Sequence, residues 1–175
     1  MKITIAEYTE NWAQLFQAEQ ALLNAALGED ALAIEHIGST AVKGLAAKPI
    51  VDIMIGLADF AIADLVVPKI VALGYDYIAK YNAIMPYRRF LVREAEQVRT
   101  HQIHMVEFNS EFWNRHLLFR DYLRTNPEVM NQYAALKRQL AERDWIDVNE
   151  YADAKTEFIR NAEKEAEKVF RAGMK

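Results

Sequence analysis

Between Ile34 and Leu57 the chain reads IEHIGSTAVKGLAAKPIVDIMIGL, and this stretch holds the residues best suited to chemistry. Gly38 has no Cβ, so its backbone can approach a phosphate closely. Ser39 and Thr40 add hydroxyls, and neighbouring amides can point at the anion. Twelve residues separate Ser39 from Asp52, the one charge in an otherwise apolar run. An unpaired carboxylate in such a run is costly. Asp52 therefore either pairs with a cation such as Lys48 or holds a metal, which makes it the candidate catalytic residue and metal ligand.

Further along, Lys80, Arg88, Arg89, Arg93 and Arg99 precede His104, opposed within that segment by Glu94 and Glu96. A local positive field of this kind suits a small anionic ligand, and equally describes a solvated surface with scattered arginines. His101 and His104 are three apart, so on a strand they face opposite sides and cannot share one metal without a bulge. The expectation is that one faces the cleft beside Asp52 and the other packs. Arg120 and Arg124 sit one helical turn apart on the same face. Two guanidinium forks at that spacing either clamp a phosphate or carboxylate, or join a salt-bridge network with Asp121, Lys137 and Lys155. Tyr133 and Tyr151 read as core positions.

The elements that must position these residues follow from periodicity and capping. A helix begins after Thr9, carries Trp12, Leu15, Phe16, Leu22 and Leu23 at helical spacing, and stops at Gly28. Ala31–Ile37 and Ile50–Leu57 read as strands around the Gly-Ser-Thr loop. Asp59 caps a helix over 60–73 that Gly74 closes. Strands are predicted over Tyr75–Lys80, Tyr87–Arg93 and Thr100–Phe108. Ser110 caps a helix to about Arg124, Asn126-Pro127 restarts one, and Asp147 caps a last helix running from Glu150 to about Arg171. The expectation is an α/β (α+β) chain: one domain over 1–175, a small mixed sheet with flanking helices over about 1–108, and three C-terminal helices over about 110–172.

Composition narrows the function classes. Of 175 residues, 52% are hydrophobic and 26% charged, the profile of an ordinary soluble globular protein. No run approaches the roughly 18 apolar residues of a membrane helix, and the first residues lack the regions of a signal peptide; a cytoplasmic protein is the expectation. With no cysteine, disulfides, thiolate zinc sites and cysteine catalysis are excluded. The net charge of −4 argues against binding duplex nucleic acid through a basic surface. No P-loop Gly-x-x-x-x-Gly-Lys-Ser/Thr sequence and no Gly-x-Ser-x-Gly elbow occurs.

Gly38-Ser39 followed by Asp52 resembles the signature of the DNA polymerase β-like nucleotidyltransferase superfamily. That signature continues with a second carboxylate two residues on. More narrowly, His36–Val42, Gly44–Ile50 and Asp52-Ile53 resemble the HIGSTAV-x-GLAAKPI-x-DI hallmark of the GrpB family. The His101–His104 segment, Phe119–Arg124, Tyr133-x-x-x-Lys137 and Tyr151-x-x-x-Lys155 extend the match over nearly the whole chain. The resemblance implies a nucleotidyltransferase-type sheet, a nucleotide or phosphorylated small molecule as ligand, and magnesium held through Asp52. It also accounts for the dephospho-coenzyme A kinase label attached to fused relatives, a kinase this chain cannot be without a P-loop. The departure is Met54, which stands where the second carboxylate belongs and cannot ligate magnesium, a cation that wants hard oxygen donors. Glu35 or Glu107 would have to reach in to replace it. Two functions follow: nucleotidyl or phosphoryl transfer with magnesium on Asp52, or a module that binds the same ligand without reacting it. In both, Gly38, Ser39 and Thr40 hold phosphates, with Lys48, Arg88, Arg89 or Arg99 neutralising charge.

Overall fold

The structure, a computed structural model, describes residues 2–173. Its centre is a five-stranded sheet in the order β1-β2-β5-β4-β3. The strands are β1 (Ala31–Ile37), β2 (Val51–Leu57), β3 (Asp76–Tyr77), β4 (Arg89–Ala95) and β5 (Val98–Glu107). β2 runs parallel to β5, while the β1–β2, β4–β5 and β3–β4 pairs are antiparallel.

Strand alternation sorts the central residues into two layers. Val51, Ile53, Ile55 and Leu57 of β2 join Ile103 and Met105 of β5 in the main core. That core is completed by Leu23 and Leu27 of α1 (Asn11–Leu27) and by Val66, Val67 and Ile70 of α2 (Ala63–Val71). The opposite face carries Asp52, Met54 and Gly56. There Met54, fully buried, packs with Ile37, Val106, Phe112 and Trp113, the last two from α3 (Glu111–Thr125). The absence of a side chain at Gly56 lets Trp113 lie on the sheet: a Cβ there would come within 2.7 Å of the Trp113 ring. Gly56→Ala is therefore expected to destabilise the protein by about 1–3 kcal/mol through overpacking. An unchanged denaturation midpoint would mean that Trp113 shifts freely.

The expected caps largely form. Asp59 Oδ1 accepts the Ala61 amide at 2.8 Å, the Ser110 hydroxyl accepts the Trp113 amide at 3.3 Å, and Asp147 accepts the amides of Asn149 and Glu150. Asn126 departs from expectation. Its side chain donates to the Tyr122 carbonyl at 2.8 Å, closing α3 and leaving α4 (Pro127–Ala141) without a side-chain cap.

Three element boundaries also differ from the sequence expectation. The Tyr75–Lys80 strand shrinks to Asp76–Tyr77 because the chain turns through a 3-10 helix at Ala79–Tyr81. β4 and β5 extend to a tight hairpin whose turn residues, Glu96 and Gln97, both have positive φ (52° and 64°); no Asn-Gly or Asp-Gly pair marks such a turn in the sequence. The last helix is interrupted. α5 (Val148–Asp153) ends in a turn at Ala154-Lys155 before α6 (Thr156–Gly173), so four helices rather than three follow the sheet.

Candidate functional site

The loop from Gly38 to Ile50 lies between β1 and β2 and is held from several directions. Gly38 takes φ 71° and ψ −172°, and a 3-10 turn at Ser39–Ala41 follows. Ala47 bridges to Ala6 through a pair of backbone hydrogen bonds of 2.8 and 2.9 Å. Val42 and Leu45 are buried against Leu123 of α3 and Tyr133 of α4. The C-terminal helices also grip loop carbonyls: Arg124 donates twice to the Ala41 oxygen, at 2.8 and 3.1 Å, and the Lys137 ammonium donates to the Ala46 oxygen. Thr40 Oγ1 donates to the Ile50 carbonyl at 3.2 Å, so it accepts from His36 Nε2 at 2.9 Å.

Asp52 meets this loop at its start. A Cβ on Gly38 would fall 2.6 Å from Asp52 Oδ2, so the missing side chain makes room for this carboxylate as well as for any ligand. On the other side, His104 Nε2 lies 3.7 Å from Asp52 Oδ1. Arg88 donates to His104 Nδ1 at 3.2 Å, which leaves the ring proton on Nε2, directed at Asp52. Burial holds the His104 pKa below its ordinary value, with Asp52 opposing that shift, so the ring is neutral at physiological pH. Phe112 stacks on His116 with centroids 3.9 Å apart, and the His116 ring sits 6.5 Å from that of His104. Burial drives the His116 pKa down to about 3. His116 had no sequence signal, since a lone histidine within a helix resembles any other polar position.

A cavity of about 190 Å³ opens beside Asp52, lined by Ser39, Thr40, Lys48, Gln102, Lys137, Tyr151 and Lys155. The lysines dominate it. Lys137 is buried, and burial together with the Lys155 and Arg138 charges lowers its pKa to about 7. Lys155 falls to about 8, through burial and repulsion by Lys48. Lys48 is lowered too, chiefly by burial. The Lys155 and Lys48 ammonium groups lie 4.3 and 5.1 Å from the centre of the Tyr151 ring. Tyr151, only 1% exposed, has a buried hydroxyl with no hydrogen-bond partner in the structure. Burial pushes its pKa up to about 12, so it stays protonated and able to donate.

The structure thus gathers Gly38, Ser39, Thr40, Lys48 and Asp52 at one place, with His104 and Arg88 behind the carboxylate. Other sequence candidates lie elsewhere. His101 sits on the opposite sheet face, edge-on to Tyr75 and 2.9 Å from the Thr100 hydroxyl. Arg99 pairs with Glu94 at 3.5 Å and lines a separate recess with Lys80 and Phe90. Arg120 is 9% exposed and held by Glu35 at 2.6 Å, by Asp121 at 2.7 Å and by the His36 carbonyl. Arg124 serves the loop carbonyl and lines a recess on the far side of the loop with Tyr8, His36 and Lys43. The positive segment from Lys80 to Arg99 is also more compensated than it reads. Arg89 pairs with Asp64 and Arg93 with Glu19, both distant in sequence.

Of the alternative salt-bridge network, the part that joins Arg120 and Arg124 to Asp121 forms, whereas Lys137 and Lys155 take no part in it and line the cavity instead. Lys137, Lys155 and Tyr151 are site residues that sequence reasoning missed, Tyr151 being legible only as a core position. Their one signal was the repeated Tyr-x-x-x-Lys spacing, which places tyrosine and lysine one turn apart on a helix face.

The donor set answers the question of magnesium. Met54 is enclosed in the core, Glu35 is committed to Arg120, and Glu107 is at the sheet's end near the Phe60 amide. Among the described residues no group of three metal-ligating side chains occurs. Asp52 is the one carboxylate lining the pocket, facing three lysines. These residues do not fit a resident pair of magnesium ions, which need several hard oxygen donors.

The mixed sheet and the turn leading into the Asp52 strand define a protein of the nucleotidyltransferase-like fold class. The Cid1 poly(U) polymerase, solved with a UTP analogue, superposes with a TM-score of 0.53 at 17% identity, over 80% of this chain and 43% of that one. A MgGTP-bound form of the same polymerase gives 0.54. The chain belongs to the GrpB family, whose GrpB protein model matches residues 2–165. The crystal structure of GrpB from Enterococcus faecalis matches with a TM-score of 0.85 and 36% identity, covering 95% of this chain and 99% of that one. The UPF0157 protein YqkA of Bacillus subtilis is 38% identical over 95% of this chain, which spans 48% of YqkA's length. Among the described residues no helix is long and apolar enough to cross a membrane.

Proposed function

We propose that the cavity beside Asp52 binds the phosphate end of a nucleotide or phosphorylated small molecule, and that it does so as a recognition site rather than as a two-metal transferase. The observation that carries this reading is the convergence of Lys48, Lys137 and Lys155 on one half-enclosed pocket beside the Gly38–Ala41 turn. At about 190 Å³ the pocket is smaller than the roughly 300–1,000 Å³ that encloses a whole ligand. It suits an anionic end, with the remainder lying outside. Nucleotides are the first class to test, because Cid1, which shares the fold, binds a UTP analogue and GTP.

The transferase reading keeps a narrower support. Asp52 with a neutral His104 oriented toward it is a group that could receive a proton or a ligand-borne cation. It predicts magnesium-dependent consumption of nucleotide that Asp52→Ala abolishes.

Thermal unfolding against nucleoside mono-, di- and triphosphates tests the binding reading. A ligand at about a hundred times its dissociation constant adds about 2.7 kcal/mol of stability, a clear rise in melting temperature. The binding reading expects that rise with at least one phosphate compound, and its loss in Lys48→Met. If no phosphate compound shifts the protein, the reading fails.

A further inference from the structure

The donor set that fails to suit magnesium has a positive counterpart. Where a two-metal site places cations against phosphate oxygens, this pocket places amines from three separate segments: Lys48 from the loop, Lys137 from α4 and Lys155 from the α5–α6 turn. One carboxylate, Asp52, stands against them, and the Tyr151 hydroxyl waits buried without a partner. An orphaned donor of this kind is costly in a folded protein unless a ligand completes it. We propose that the ammonium groups of Lys48, Lys137 and Lys155, with the Tyr151 hydroxyl, take the place of divalent metal, so that the pocket binds a di- or triphosphate end free of metal.

This inference rests on the binding reading above and adds the chemistry of recognition. Three lysines against one carboxylate leave two positive charges to be balanced when all are protonated, which a terminal phosphate and its neighbour supply. A metal ion carried on the same phosphates would instead meet three cations at short range and be repelled.

A consequence distinguishes this mode from metal-assisted binding. The groups around the lysines are Asp52 on β2, Arg99 on β5, Tyr133 and Arg138 on α4, and Tyr151 on α5. Burial and the neighbouring cations lower the Lys137 and Lys155 pKa values to about 7 and about 8 in the free protein. A bound dianion favours their charged forms, so near pH 8 binding draws about one proton or more from solution. Affinity therefore falls as pH rises through this range and beyond, by up to about tenfold per pH unit for each proton taken up.

The test is calorimetric titration of the whole chain with ADP in EDTA, near pH 8, in two buffers of different ionisation heat. The terminal phosphate of ADP is already ionised there, with its second pKa near 6, so proton uptake reports the protein. Expected are binding in EDTA, proton uptake, and weakening by added magnesium. Tyr151→Phe should weaken binding about five- to tenfold without lowering the melting temperature of the free protein, because its hydroxyl has no partner to lose and its removal relieves an unsatisfied buried donor. Lys155→Arg should bind ADP with less proton uptake, since a guanidinium is always charged. Binding that appears only with magnesium overturns this inference and leaves the binding reading standing. Binding in EDTA without proton uptake overturns the lysine assignment. No binding of ADP, with or without magnesium, overturns the inference, and failure across the wider phosphate panel removes the reading beneath it.

Discussion

Gly38→Ala is expected to cost about 2–4 kcal/mol of stability and to abolish ligand binding in the Asp52 pocket. Two separate effects add at this position. With φ at 71° and ψ at −172°, Gly38 occupies a region of backbone space that is essentially closed to residues bearing a Cβ, at a cost of about 1–3 kcal/mol. The added methyl would also fall 2.6 Å from Asp52 Oδ2, with the Asp52 Cβ and Cγ each at 3.2 Å, so the carboxylate must rotate or the turn must open. Either movement displaces Ser39 and Thr40 from the pocket wall. The two effects can be separated by adding Asp52→Ala: the 2.6 Å clash with the carboxylate oxygen disappears, while the backbone strain and the 3.2 Å approach to Cβ stay. Chemical denaturation of the two single variants and the double variant should therefore give a coupling of about 1 kcal/mol or more. Strict additivity would mean that the turn relaxes without pressing on Asp52.

Lys137→Met is the second large effect, and its sign depends on pH. An unfolded lysine titrates near 10.4, whereas burial and the neighbouring cations hold Lys137 at about 7 in the folded protein. Between those values the unfolded chain carries a proton that the folded chain lacks, so wild-type stability rises as pH climbs from about 7 toward 10. Below about pH 7 both states are charged and the full cost of burying the ammonium is present. Three pKa units correspond to an upper bound of about 4 kcal/mol. The lost hydrogen bond to the Ala46 carbonyl returns about 1 kcal/mol. Lys137→Met should thus be more stable than wild type by about 2–3 kcal/mol near pH 6 and lose that advantage near pH 10. Urea denaturation of both proteins at the two pH values measures it. A variant that is less stable by the same amount at both would mean that the ammonium is held by its contacts and bears no charge penalty. The same substitution should weaken ADP binding, a case of stability exchanged for function.

These expectations draw on different levels of the molecule, and so did the success of reading it from sequence. Ala31–Ile37 and the strand ending at Leu57 were legible because each is a short apolar run bounded by turn residues. Asp59, Ser110 and Asp147 were legible as caps because a cap is a contact between residues two or three apart. The opposite orientation of His101 and His104 followed from strand periodicity alone, and the structure sets them on opposite faces. The Glu96-Gln97 turn escaped because its residues adopt positive φ without the glycine or asparagine that usually signals it. The break at Lys155 escaped because Val148 to Gly173 has neither proline nor an internal glycine to mark an interruption.

What the sequence determined by itself is the set of local instructions: the Gly38-Ser39-Thr40 turn, the isolated Asp52 in an apolar strand, and Met54 in place of a second acid. Each of these is a property of a few neighbouring residues, so chain chemistry is enough to read it. The tertiary structure decided the company those residues keep. Arg120 and Arg124, an apparent phosphate clamp, are drawn off by Asp121 beside them and, 85 and 83 residues away along the chain, by Glu35 and the Ala41 carbonyl. Lys137 and Lys155, unremarkable in the sequence around them, are carried to the cavity by the packing of α4 and by the turn after α5. A side chain's charge partner is set by which elements meet in space, and that follows from how two faces of a sheet are covered, a property no local spacing contains.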